Sequence, residues 1–346
     1  MALQWVESYL RERSQYVAIG GEQSTTSCSN VGVPQGSVLG PFLFSVYVSP
    51  ISSVIASFGV QFHQYADDTQ LYTAVKSGSD IEGIKRLEEC TQAVRDWFLD
   101  NGMLLNPDKS EVMLLGTRTQ TQKFVQRSSV AVAGSDIKFS MKLKSLGVTL
   151  DQSLTFDDHI KNVVKASNFH IRALKHIRPM LSSMVANMVA CSVVNTRLDY
   201  CNSLLYDTSK KNFDKLQRIQ NHLARIVSGT ARRDHIRPVL KALHWLPVTQ
   251  RVQYKVAVIT HKVLSTRQPQ YLADIVTEYN PSRHLRSSTQ RKLAVRTTNN
   301  RLGERAFSSA SAKVWNELPT ELKVITEHST FKKKLKTHLF ANAFCT

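Results

Sequence analysis

The chain has 346 residues, enough for two or three domains and a sizeable core, and its formal charge of +18 is unevenly placed: residues 1–160 hold 13 Lys and Arg against 17 Asp and Glu, residues 161–346 hold 32 against 10. A cationic excess confined to one half fits a surface that meets a polyanion, nucleic acid first among them, beside the plainer reading of a basic solvated surface. Five scattered cysteines without a C-x-x-C pair give neither a zinc knuckle nor a disulfide framework and read as reduced intracellular thiols, and the first residues lack the basic-then-apolar order of a secretory signal.

Leu3 to Arg11 reads as a helix, followed by a hairpin: a strand around Tyr16 to Ile19, the Gly20-Gly21 turn, and a second strand approaching Gly32. Gly32-Val33-Pro34-Gln35-Gly36 is a tight segment in which glycine lets the main chain approach a ligand and Gln35 can both donate and accept hydrogen bonds. No Asp, Glu, Lys or Arg lies between Glu22 and Asp67, and Val38 to Ala56 is largely apolar, close to the ~20 residues that span a bilayer. Pro41, Pro50, Gly40 and several serines interrupt it. The stretch is therefore predicted to be a buried helix beginning at Ser37 to Pro41, with no membrane involved.

Phe62 to Tyr72 holds two adjacent carboxylates, Asp67 and Asp68, between two β-type runs. Neighbouring side chains on a strand point to opposite faces, so the pair can converge only at a hairpin apex. Carboxylates on a rigid edge suit hard divalent cations, Mg²⁺ or Mn²⁺, although an Asp-Asp pair at a turn is also ordinary solvated turn chemistry.

Ile81, Ile84, Leu87, Val94, Trp97 and Phe98 define an amphipathic helix, capped by Ser79 or Asp80 and ended by Asn101-Gly102. Met103 to Leu105 and Glu111 to Leu115 read as short strands around the Asn106-Pro107-Asp108 turn, with Lys109 beside it. Strand-like Lys142 to Leu150 leads into a helix starting near Thr155. Asp157 and Asp158 fall in its first turn, where carboxylates complement the helix dipole, and are read as structural. Helices are predicted over 156–178, stopped by Pro179, over 180–206, and over Ser209 to Gly229. The last carries an apolar stripe opposite Lys211, Lys215, Arg218, His222 and Arg225, a single-sign row that reads either as a solvated face or as a nucleic-acid contact. Residues 280–303 are polar and Arg/Ser/Thr-rich and are read as a loop or linker.

Tyr65-Ala66-Asp67-Asp68 resembles the Y-x-D-D signature of reverse transcriptases. Gly32-Val33-Pro34-Gln35-Gly36-Ser37-Val38-Leu39-Gly40-Pro41 upstream, and Leu105-Asn106-Pro107-Asp108-Lys109-Ser110-Glu111 and Leu146-Gly147-Val148-Thr149-Leu150-Asp151 downstream, resemble the flanking blocks in the right order. Their wording, together with His244-Trp245-Leu246-Pro247 and Trp315-Asn316-Glu317-Leu318-Pro319 in the tail, is similar to non-LTR retrotransposons of the jockey/CR1 type. The resemblance implies an α+β chain: a partial palm and fingers over 1–154 with an antiparallel sheet and packed helices, thumb-like helices over 155–206, and a basic helical region over 207–346. It implies an RNA-directed DNA polymerase that joins deoxynucleoside triphosphates to a DNA primer on an RNA template, in the nucleus. By resemblance Asp67 and Asp68 hold Mg²⁺ or Mn²⁺, Lys109 meets the leaving pyrophosphate, and Gln35, Gly36 and Tyr65 shape the template and nucleotide site. Lys142 to Leu150 would be the primer grip.

In that family a further aspartate block, F-D-x-x-x-H, comes before the first block seen here, so the chain as given is expected to be a portion without primer extension of its own. That keeps a second class open, a non-catalytic polymerase-derived binding protein using Lys211, Lys215, Arg218 and Arg225. A fused ribonuclease H would need an acid cluster, and residues 161–346 hold ten acids in all. A group II intron maturase would carry a different C-terminal wording.

Overall fold

The computed structural model describes residues 2–29, 31–34, 36–75, 80–124, 128–279 and 291–345. Helices and short antiparallel strand pairs make it α+β, the class read from the sequence. It divides into two compact units, residues 1–112 with 124–139, and residues 113–123 with 140–346.

In the first unit α1 (Ala2–Leu10) precedes β1 (Arg13–Gln15), which pairs with β4 (Ser27–Ser29). Inside that pair β2 (Ala18–Ile19) meets β3 (Glu22–Gln23) around Gly20 and Gly21, both at positive φ, so the predicted hairpin is present. The apolar run does not form one buried helix. It breaks into α2 (Gly40–Val48) and α3 (Ile51–Ser57) at Ser49-Pro50, where proline ends the hydrogen-bond ladder and the Ser49 and Ser52 hydroxyls donate to the carbonyls of Val46 and Ser49. Val48, Ile51 and Ile55 are buried, but Phe42, Val46 and Tyr47 are exposed. Gly40–Ser57 is long and apolar enough to cross a membrane, and 22% of it is buried.

Next come β5 (Gln61–Tyr65) and β6 (Asp68–Tyr72), an antiparallel hairpin, and then α4 (Asp80–Asp100). Asn101 closes α4 by donating to the Trp97 carbonyl, and Gly102 leaves it at φ +68°. The Ser79 cap lies outside the described residues. One stretch of α4 packs Cys90 and Val94 against Ile51, Ile55 and Val60, while Ile84 supports Val130 and Val132. The last two belong to a hairpin not anticipated from the sequence, β7 (Ser129–Val132) and β8 (Ser135–Lys138), turned by Ala133 and Gly134 at positive φ. Strands do not form at 103–105 or 111–115. Asn106 accepts the Asp108 amide and tightens Pro107–Lys109 into a 3₁₀ turn, and among the described residues only an isolated bridge, Val112 to Phe139, pairs this region.

The second unit holds α5 (Arg118–Lys123) and the hairpin β9 (Lys142–Ser145) and β10 (Val148–Asp151), turned at Leu146-Gly147. After it α6 (Asp157–Ile177) runs to the Pro179 stop. Asp158 is held by Lys142 and Lys161 at 2.7 and 2.8 Å, which lowers its carboxyl to about 2, so the structural reading of this pair stands. The helix predicted over 180–206 is instead α7 (Ser183–Ala190), a π-helical turn at Cys191–Asn195, α8 (Thr196–Asp199) and a 3₁₀ turn after Cys201 at positive φ. It ends where Asp199 is drawn into a two-pronged pair with Arg251 and the Tyr200 hydroxyl donates to the Leu146 carbonyl.

Then α9 (Lys210–Ser228) stops at Gly229, φ +74°, as the sequence indicates. It is followed by α10 (Ile236–Ala242), α11 (Val248–Thr266), α12 (Gln270–Ala273), α13 (Arg301–Arg305), α14 (Phe307–Glu317), α15 (Thr320–Lys323) and α16 (His328–Phe344). One core gathers Ile160, Ile171, Leu174, Leu216, Leu223 and Val252; another gathers Val256, Trp315, Phe331 and Leu335. Helix α11 contributes to both. The described part of the predicted linker is anchored, since Leu293 is buried in the second core and both its backbone groups bond the Asn316 side chain. The Arg305 guanidinium donates to the Leu154 and Tyr206 carbonyls and lies over the Phe156 ring, tying α13 to the β10–α6 junction.

Helices α6 and α9 run parallel with their ends level. At one end Asn212 donates to Asp157, and at the other the Arg178 guanidinium donates to the last carbonyls of α9, Ile226 and Val227, and to Leu181. Arg178→Met keeps the stem but leaves those carbonyls without a donor. It is expected to lower the unfolding free energy by about 2 kcal/mol, read as a lower urea midpoint at unchanged slope.

His159 is one group through which acidification acts, beside His222 and His328, which burial also holds below the usual value. Burial holds the His159 pKa below the usual value, and its Nδ1 accepts the Thr149 amide, which requires the neutral ring. The unfolded chain therefore takes up this proton first: the contribution is present above about pH 6.5 and is lost as pH falls below it. A urea midpoint that drops from pH 7.5 to 5.5 in the wild type and less in His159→Gln is the expected result. Asp158 stays ionised throughout that window.

Candidate active site and nucleic-acid interface

The β5–β6 register sets Tyr65 opposite Asp68, which leaves Ala66 and Asp67 as the two-residue apex. Phe62 and Leu71 point to the core while Tyr65, Asp67 and Asp68 are exposed, so the alternation that folds the hairpin also presents its tip. Ala66 sits at φ +54°, a conformation that favours glycine and is strained for a residue with a Cβ. On the flank, His63 and Tyr72 stack at 5.5 Å. The apex thus offers two carboxylates from adjacent residues on one rigid ribbon.

Such a pair fits part of a Mg²⁺ shell, because this ion is commonly held by one or two carboxylates with phosphate oxygens and water completing the octahedron. Among the described residues no group of three or more His, Cys, Asp and Glu is placed to hold a metal. Lys109 stands exposed on the 3₁₀ turn of the same unit, ion-paired to neither aspartate. Gly36 adopts φ +85° with open space where a Cβ would be, a backbone free for close approach. Gln35 lies outside the described residues. Ser37 accepts from the Tyr9 hydroxyl and the Gly40 amide and so fixes the start of α2.

In the second unit the row predicted on α9 shares one helix face but not one state. Lys211 and Arg218 are exposed, whereas Lys215 donates to Asn212, and Arg225 donates to the Ala231 and Asp234 carbonyls and holds that loop. Sequence reasoning missed the matching row on α6. Lys161, Lys165, Arg172 and Lys175 are exposed there, and no Asp or Glu occurs between Asp158 and Asp199, which was the available signal. Helices α6 and α9 pack along each other, and partial burial with the neighbouring Lys175 holds His222 below its usual pKa.

Residues 1–150 match the family described as reverse transcriptase (RNA-dependent DNA polymerase). Over 233 residues, 65% of the chain, it is 30% identical to the RNA-directed DNA polymerase from mobile element jockey of Drosophila melanogaster, covering 25% of that protein. The corresponding Drosophila funebris protein is 27% identical over 234 residues, with 65% of the chain and 25% of the relative covered. A retrovirus-related Pol polyprotein from type-1 retrotransposable element R1 2 of Nasonia vitripennis is 22% identical over 188 residues, 53% of the chain and 45% of the relative. The chain spans about a quarter of the length of the jockey relatives it matches. No solved structure matches it.

Proposed function

With residues 1–150 belonging to the reverse transcriptase family and the chain homologous to the RNA-directed DNA polymerases of non-LTR retrotransposons, we propose that it forms part of such a polymerase, extending a DNA primer on an RNA template from deoxynucleoside triphosphates. The observation that carries this reading is the pair of exposed carboxylates at the β5–β6 apex, inside the matched span. The family uses divalent metal ions. Asp67 and Asp68 would hold Mg²⁺ or Mn²⁺ here, where a bound ion neutralises phosphate charge and acidifies the attacking hydroxyl.

The chain's own groups do the rest. Tyr65, exposed beside the apex, lines the nucleotide site; Gly36, with Gln35, gives the template backbone close approach; Lys109 offers a cation to the departing pyrophosphate. Residues 1–154 serve as palm and fingers, 155–206 as thumb, and 207–346 as a basic region whose α9 face meets nucleic acid in the nucleus.

A second reading, a binding protein without turnover, is favoured by the exposed cations of α6 and α9, which need no metal site to meet a polyanion. Deoxynucleotide incorporation on a primed RNA template with Mg²⁺ or Mn²⁺, by a polymerase that contains this segment and against its Asp67→Asn control, separates the two. Incorporation lost in Asp67→Asn supports the polymerase. Tight binding without incorporation in either protein supports the second reading.

A further inference from the structure

We propose that the outward face of α6, with Phe169 at its centre, is a stacking platform for unpaired nucleotides of a single strand. The proposal rests on the nucleic-acid reading above and adds a site on a different helix from the α9 row.

The helix buries Ile160, Ser167, Ile171 and Leu174, and Phe169 lies on the opposite side, 69% exposed. Asn162, Lys165, Ala166 and His170 surround it and line a shallow open cleft of about 320 Å³. His170 stands nearly perpendicular to the ring, at 5.2 Å between centroids and 83° between planes, and most of the Phe169 side chain stays open to solvent. Ala166, three residues earlier, leaves room above it. Cations stand one turn to either side, Lys165 at i−4 and Arg172 at i+3, both exposed and in a stretch without a carboxylate.

Among the described residues the exposed ring has only Ala166 and Ala173 as apolar neighbours on this face and cations beside it, too little apolar area for an apolar protein face or a bilayer. An aromatic ring flanked by phosphate-binding charges is the pattern by which proteins hold single strands: the base stacks and the cations follow the backbone. A duplex fits poorly, because its bases are stacked on one another and present only their edges. Helix α6 packs along α9 and Lys175 is exposed on it, so the flank continues toward the cationic row of α9.

The test uses the whole chain and three probes: a base-bearing single strand (oligo-dT or oligo-U), the same backbone made abasic, and a blunt duplex. Phe169→Ala should weaken binding of the base-bearing strand by roughly 5- to 150-fold, while leaving the abasic strand and the duplex within about twofold. Phe169→Trp should keep wild-type affinity and add a fluorescence component quenched by the base-bearing strand only. Circular dichroism checks that the variants fold alike. Wild-type affinity of Phe169→Ala for the base-bearing strand would overturn the proposal, as would equal losses on all three probes. A wild-type chain that binds none of the probes would overturn the nucleic-acid reading itself.

Discussion

Raising salt from 50 to 200 mM is expected to weaken binding of a template–primer duplex to this protein by about 10³-fold, the loss that accompanies roughly six phosphate contacts. The second unit presents the cations for those contacts. Lys175 is exposed on α6, Lys211 and Arg218 on α9, and Lys332, Lys333, Lys334 and Lys336 on α16. Each neutralised phosphate releases counterions, so the slope of log affinity against log salt counts contacts. Replacing Lys211 and Arg218 by Gln should lower that slope by about 2 with helicity unchanged, because Gln, Lys and Arg have similar helix propensity. Arg225 is a poor choice for the test, since its loss also frees the Ala231 and Asp234 carbonyls. Filter binding at four salt concentrations measures it; an unchanged slope would remove the α9 face from the interface.

Asp67→Asn, in a polymerase that contains this segment, is expected to lower deoxynucleotide incorporation by about 10³-fold or more. The substitution keeps the shape of the side chain and removes one negative charge at the apex. An ion held there supplies several kcal/mol of transition-state stabilisation, and each ~1.4 kcal/mol lost is a factor of ten in rate. Asp67 is exposed and outside the β5–β6 ladder, so its replacement should leave thermal stability unchanged. Ala66→Gly is the matching control for the backbone: it relieves the positive φ at the apex and leaves both carboxylates in place. Single-turnover incorporation with Mg²⁺ gives both numbers. Asp67→Asn retaining more than about a tenth of the rate would place the ion elsewhere.

The parts of the fold that were legible in the sequence are those whose local signals agree. Helix α9 joins an unbroken apolar stripe to a glycine stop, α4 does the same with Asn101-Gly102, and the β5–β6 hairpin alternates Phe62 and Gln64 inward on one strand with Thr69 and Leu71 on the other. Failures came where a side-chain contact overrode the run. Residues 180–206 look like one helix until Arg251 takes Asp199 and the Tyr200 hydroxyl reaches Leu146, partners 52 and 54 residues away that no local window contains. Val38 to Ala56 reads as buried because it is apolar, yet only one edge of it finds a core. The β7–β8 hairpin was visible in principle as Val130-Ala131-Val132 before Ala133-Gly134, but two-residue alternation over so few positions is a weak signal. At the site, Asp67, Asp68 and Tyr65 are neighbours in sequence and are therefore neighbours in space. Lys109, 41 residues beyond Asp68, depends on packing and had no local signal to place it.

The bond from Arg305 to the Leu154 carbonyl spans 151 residues. During synthesis the junction between β10 and α6 emerges first and its clasp last, and at ~5–20 residues per second the gap is roughly 8–30 s. Throughout that interval Phe156, buried in the finished unit, lacks the guanidinium that lies over its ring. The second unit thus closes late: a nascent chain halted before Arg305 holds every residue of α6 and α9 and still leaves their common entrance open.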